Sequence, residues 1–200
     1  MIPIERIMRD IRAGVQYPLW VLRGRPGPDN HRYKINRILS LRKKYSCETF
    51  IETGTFYGQT VSVARRYFRK VYSVEIYAPL FQYNIRQFRH HRNVNIVQGD
   101  SVAKLPEIVP QIEGRAIFWL DGHYSGTGTG VGAKVSPILE ELRVIKTATR
   151  NDHCILIDDR RLFGVDAGYP TINDVEKSIK SINPDYQLTF NRDCLLIVSP

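Results

Sequence analysis

Phe50-Ile51-Glu52-Thr53-Gly54-Thr55-Phe56-Tyr57-Gly58-Gln59-Thr60 carries an apolar strand into a tight glycine-bearing turn and then into the first turn of a helix. An acid closes the strand. The two glycines let the backbone come close to a ligand. The helix N-terminus that follows favours anionic or polar groups.

On the C-terminal side of this turn, apolar runs alternate with helical stretches. Strands are expected at Cys47–Glu52, Val71–Ile76, Val94–Gln98, Ala116–Asp121 and His153–Asp158, with helices over 58–69, 78–90, 101–109, 136–147 and 171–182. This alternation implies a parallel sheet of right-handed βαβ units. Two last strands, Tyr186–Phe190 and Cys194–Val198, are separated only by Asn191-Arg192-Asp193, so they must run antiparallel. The expected fold is α/β, a Rossmann-like doubly wound sheet, mostly parallel with an antiparallel C-terminal strand.

On its N-terminal side lies a basic helical arm, residues 1–46, ahead of a main domain over 47–200. The arm holds 11 Lys and Arg against 3 Asp and Glu, and the remainder 18 against 17, so the net charge of +9 belongs to the arm. Ile4, Ile7, Met8, Ile11 and Val15 recur at helical spacing with Arg6, Arg9 and Arg12 between them. A second basic helix is expected over 31–45. The favoured reading of the first is an arm packed on the domain or on a second subunit of a homo-oligomer. Contact with a membrane surface is the alternative.

Two hundred residues, 42% of them hydrophobic, suit one soluble domain with a sizeable core. No apolar run approaches a membrane span, and no signal peptide is evident. Cys47, Cys154 and Cys194 are odd in number and far apart in sequence. They read as buried free thiols of a reducing compartment, with a cytoplasmic location as the default.

In an open α/β sheet, ligands bind beyond the carboxyl ends of the strands. Each expected parallel strand ends there in a carboxylate: Glu52, Glu75, Asp100 after Gly99, Asp121, and the pair Asp158-Asp159. Glu75 follows Glu52 by 23 residues, a spacing that suits an acid binding the two hydroxyls of a ribose. Asp100 is placed to accept from an adenine amino group, and the Ser101 N–H to donate to a ring nitrogen. An adenosine ligand follows. The nicotinamide fingerprint G-x-G-x-x-G is absent.

The turn instead reads E-x-G-x-x-x-G and resembles motif I of class I S-adenosylmethionine-dependent methyltransferases. Glu75 and Gly99-Asp100 look like that family's ribose-side and adenine-side acids. The resemblance covers roughly residues 47–200. It implies S-adenosylmethionine as cofactor, held by Glu52, Thr53, Gly54, Thr55, Tyr57, Gly58, Thr60, Glu75, Ile76, Asp100 and Ser101.

Asp121, Asp158 and Asp159 form a second group. Three carboxylates at neighbouring strand ends repel one another unless a cation lies between them. Oxygen ligands suit Mg²⁺ or another divalent cation. The pattern resembles metal-dependent O-methyltransferases of the catechol and macrocin types, and the acidic pair looks like the macrocin kind. The catechol-type lysine three residues after the strand-four aspartate is absent, since that position is Tyr124. His123 is the candidate general base, with metal ligation as its alternative role. Asp121 is grouped with it in catalysis, and Tyr124 is expected to line the acceptor pocket. Arg160, followed by Arg161, either binds an anionic part of the substrate or offsets the local negative charge. The glycines over 122–134 lack the G-K-[ST] of a phosphate loop and read as a flap.

The expected activity is O-methylation of a hydroxyl on a sugar or other polyhydroxylated small molecule. A nucleic-acid methyltransferase is the second reading, carried by the basic arm. The sequence Asp121-Gly122-His123-Tyr124 stands against it, because N-methylating relatives usually carry Asn/Asp-Pro-Pro-aromatic there. A non-catalytic cofactor-binding module is the third.

Overall fold

The computed structural model describes residues 16–25, 27–121 and 136–200. The expected helix over 2–15 and the glycine-rich stretch over 122–134 lie outside them. Helix α1 (His31–Tyr45) starts where Asn30 Oδ1 accepts the Arg32 N–H at 2.9 Å, and it stops where Ser46 turns left-handed. There follow β1 (Thr49–Thr53), α2 (Gln59–Ala64), β2 (Lys70–Glu75), α3 (Ala78–Phe88), β3 (Val94–Gln98), α4 (Ser101–Ile108) and β4 (Ala116–Leu120). After the undescribed stretch come α5 (Ile138–Ile145), β5 (Cys154–Ile157), α6 (Ile172–Ile182), β6 (Gln187–Asn191) and β7 (Cys194–Val198).

The seven strands lie in the order β3-β2-β1-β4-β5-β7-β6. Neighbours among β1 to β5 pair in parallel. β7 is antiparallel to both β5 and β6, so it alone runs against the rest. The chain moves outward from β1 to β3 and then returns past β1 to β4. That reversal puts the switch point between β1 and β4, where open α/β sheets bind ligands.

Period-two alternation sorts the core into two layers. Phe50, Val71, Ile117, Trp119 and Leu156 join Ile38 and Leu41 of α1, Val61 of α2 and Phe88 of α3. Ile51, Val74, Phe118, Leu120 and Ile155 join Leu105 of α4, Leu142 of α5 and Ile179 of α6 on the other face. The alternation also sorts the polar strand ends. Glu52, Glu75, Asp121 and Asp158 share parity with the first layer, the face that α1 covers.

Helix α2 is shorter than the expected 58–69. Its chain turns at Arg65, where the Asn93 side chain donates to the carbonyls of Arg65 at 2.9 Å and Phe68 at 3.1 Å and so closes the segment. All three cysteines are free and buried, with the Cys47 and Cys154 sulfurs 3.8 Å apart. Among the described residues no helix is long and apolar enough to cross a membrane.

Candidate active site

The glycine turn is held from beneath. Gly54 has φ +91° and donates to Val74 O at 2.9 Å, and the Thr55 N–H reaches the same carbonyl at 3.1 Å. Gly58 has φ +69° and begins α2 without a side-chain cap. A Cβ on it would stand 2.5 Å from Asn84 Oδ1 and 2.6 Å from Phe88 Cε2, so only glycine fits. Asn84 in turn donates to the Phe56 carbonyl at 2.5 Å. Tyr57 packs edge-on to Phe56 and Tyr83.

Glu75 and Glu52 play different parts around this turn. Glu75 accepts the Phe56 N–H at 2.7 Å on one oxygen and the Tyr77 N–H at 2.9 Å on the other. A carboxylate has about four acceptor positions, so one remains for a ribose hydroxyl beside the backbone donors. Burial raises its pKa, and the backbone donors at Tyr77, Phe56 and Ile76 oppose the rise. Glu52 faces inward instead. It accepts from Ser73 Oγ at 2.8 Å, and Ser73 shares a 2.7 Å hydrogen bond with Thr55. Burial pushes Glu52 up to about 8, against the hydroxyls of Ser73 and Thr60, so it is mostly protonated at neutral pH. It braces the turn from behind.

Asp100 caps α4 through a 2.9 Å bond from the Val102 N–H, and Gly99 N–H donates to the Glu75 carbonyl at 3.0 Å. The ends of β2 and β3 are thereby tied together. Glu141, on α5, carries no sequence signal beyond its helical position. It is 0% exposed. Burial pushes it up to about 7, opposed by the nearby Ser101 and Thr53 hydroxyls.

On the other side of the switch point, one carboxylate oxygen from each of Asp121, Asp158 and Asp159 lies within 4.8 Å of the others. Asp121 is set by its N–H bonds to the Thr53 carbonyl and hydroxyl, and by Trp119 Nε1 at 3.4 Å. Asp158 N–H bonds to the Leu120 carbonyl at 3.1 Å, continuing the β4–β5 ladder. Asp159 sits at φ +56° and accepts from Arg161 at 2.5 Å, while Arg161 also pairs with Asp193. Asp158 Oδ1 is buried and has no partner among the described residues. An orphaned buried oxygen beside two further carboxylates fits a divalent cation.

The structure adds residues that the sequence reading missed. Lys34 of α1 pairs with Asp158 Oδ2 and lies 5.8 Å from the Trp119 ring centre. Burial works against its ammonium, but the charges of Asp121, Asp158 and Asp159 outweigh it and hold its pKa above the ordinary lysine value. His31, one turn earlier, lies 3.4 Å from the Thr60 hydroxyl. His31, Lys34, Ile38, Thr60, Trp119, Asp121 and Asp29 line a cavity of about 110 Å³. Residues 31, 34 and 38 form one helical stripe that ends in core, but nothing local in the basic helix sets Lys34 apart. His123 and Tyr124 lie outside the described residues. Arg160 packs over the Phe190 ring at 4.8 Å.

No protein-family model matches the sequence, and no curated protein matches it. Solved structures do match by shape. An O-methyltransferase from Bacillus cereus in complex with SAH aligns over 94% of this chain and 90% of its own, with TM-score 0.63 and 12% identity. The O-methyltransferase TomG from Streptomyces achromogenes, in complex with SAM, aligns over 94% and 86% with TM-score 0.60 and 13% identity. The SAH-bound methyltransferase PaMTH1 from Podospora anserina aligns over 100% and 98% with TM-score 0.56 and 13% identity. The chain has the α/β fold of these methyltransferases.

Proposed function

We propose, from this shared fold and the site it frames, that the chain is an S-adenosylmethionine-dependent methyltransferase. It acts on a hydroxyl of a sugar or other polyhydroxylated small molecule with the help of Mg²⁺ or another divalent cation. One observation carries the reading. The carboxyl edge of the sheet holds two acidic groups on either side of the Gly54 turn, Glu75 with Asp100 and Asp121 with Asp158 and Asp159. When bound, S-adenosylmethionine supplies an electrophilic methyl group and the cation makes a nearby hydroxyl more acidic.

The chain's residues supply position and proton transfer. Glu75 takes the ribose hydroxyls and Asp100 the adenine edge. Thr53, Gly54, Thr55, Tyr57, Gly58, Thr60, Ile76 and Ser101 shape the cofactor's bed, with Glu52 bracing it. Asp121, Asp158 and Asp159 hold the cation, His123 takes the acceptor's proton, and Tyr124 and Arg160 meet the acceptor. Three free buried thiols support a reducing, cytoplasmic setting.

Transfer of labelled methyl from S-adenosylmethionine to a panel of monosaccharides and polyols, with Mg²⁺ or with chelator, tests the proposal. Transfer to a hydroxyl acceptor is expected, lost at least 100-fold in chelator and in Asp158→Asn. Full turnover in chelator would remove the cation from the proposal. Absence of cofactor binding by calorimetry would remove the activity altogether.

A further inference from the structure

The acidic cluster already contains a cation of the chain's own. Lys34 reaches from the first turn of α1 to Asp158 Oδ2, and its charge is felt by all three aspartates. Asp158 is 1% exposed at its side chain and Lys34 18%, so the buried partner is the carboxylate and the ammonium comes from the cavity side. The other oxygen of Asp158 is left orphaned, because the ammonium sits on Oδ2 and the nearby Arg161 pairs with Asp159 and Asp193 instead.

A divalent ion placed among these oxygens would lie a few ångströms from that ammonium, and like charges at that distance in a buried site repel strongly. The helix cannot retreat to relieve this. Ile35, Ile38 and Leu41 are buried, and Arg37 ties α1 to Asp29 at 2.5 Å and to the Asn191 carbonyl at 2.8 Å. The lysine side chain can move, since its four-carbon stem is flexible and the cavity lined by His31, Thr60, Trp119 and Asp121 lies beside it.

We propose that Lys34 is a resident counter-ion that competes with the divalent cation for Asp158, so that metal binding releases its ammonium into the adjoining cavity. The inference rests on the cation site of the proposed function and assigns a residue outside it. Lys34 then links occupancy of the cation site to the adjoining cavity. Without metal it keeps the aspartates together; with metal it stands free in the cavity to meet an acceptor.

Two measurements on the full chain test this without methyl transfer. Mn²⁺ titration by electron paramagnetic resonance compares the wild type with Lys34→Met. The variant is expected to bind at least tenfold more tightly, and equal or weaker binding overturns the proposal. In the wild type, reductive methylation of lysines is mapped by mass spectrometry with and without saturating Mg²⁺. Lys34 modification is expected to accelerate several-fold relative to the exposed Lys43 and Lys44. An unchanged ratio overturns release even if the variant does not fold. If neither protein binds Mn²⁺ the inference falls, while cofactor binding and methyl transfer remain separately measurable.

Discussion

Glu52 shows how a single residue bears both on stability and on the shape of the turn. Its folded pKa of about 8 lies well above the ordinary 4.5, because burial opposes its charge. Between those values the native state holds a proton that the unfolded chain has released, so raising the pH favours unfolding. The contribution is whole below about pH 4.5 and is lost as the pH rises through about 8, at about 1.4 kcal/mol per pKa unit. Glu141 acts in the same direction up to about 7. His153 acts oppositely: burial lowers it to about 4, so it costs stability as the pH falls below its ordinary 6.5. Between pH 7 and 8, Glu52 therefore contributes most of the three, while Glu141 completes its ionisation. Urea denaturation of the wild type across that window is expected to lose stability relative to Glu52→Gln, which keeps an acceptor for Ser73. Parallel curves would show that Glu52 is already ionised in the native state.

At the scale of elements, α1 and α2 hold the site from the same face. α2 begins at Gly58, where the positive φ and the contact with Asn84 and Phe88 leave no room for a side chain. Gly58→Ala is expected to cost about 3 kcal/mol in urea denaturation, from backbone strain and overpacking together. α1 is fastened by Arg37, which is buried against Asp29 and Asn191. Arg37→Met keeps the apolar stem but leaves Asp29 only Arg192 as an ion-pair partner among the described residues, and is expected to cost about 3 kcal/mol. Thermal melts of the two variants distinguish them from surface changes such as Arg86→Met, which should stay within about 0.5 kcal/mol. These two helices also mark what sequence can tell. The glycines of the turn were readable because a sharp strand-to-helix reversal needs them locally. The acids at the strand ends were readable because they interrupt apolar runs. Lys34 was not, because in a helix with Arg32, Arg37, Arg42, Lys43 and Lys44 nothing local separates the one lysine that turns inward. Its role depends on a long-range approach of α1 to β5. Glu141 was hidden for the same reason, among Glu140 and Arg143 on an amphipathic helix.

At the scale of the molecule, alternation and handedness made a mostly parallel sheet legible, but not its order: the reversal from β3 back past β1 to β4 and the placement of β7 between β5 and β6 are set by long-range packing. That order spreads the carboxyl edge into two halves. Glu75 and Asp100 close β2 and β3, the three aspartates close β4 and β5, and β1 with its Gly54 turn stands between them. No carboxylate is shared between the halves, so the proposed cofactor and cation should stabilise the fold through separate contacts. A ligand at one hundred times its dissociation constant adds about 2.7 kcal/mol. For a chain of this length that is a rise in melting temperature of about 5–10 °C. S-adenosylmethionine and Mg²⁺ are each expected to produce such a shift alone, and their effects to add within about 2 °C. Measured against its own ligand-free melt, Glu75→Gln should lose the cofactor's shift and keep the cation's. Asp158→Asn should do the reverse, its Lys34 partner being left with access to the cavity. A variant that loses both shifts would mean that the halves are one cooperative site, joined through the turn at Thr53, whose carbonyl and hydroxyl both hold the Asp121 backbone.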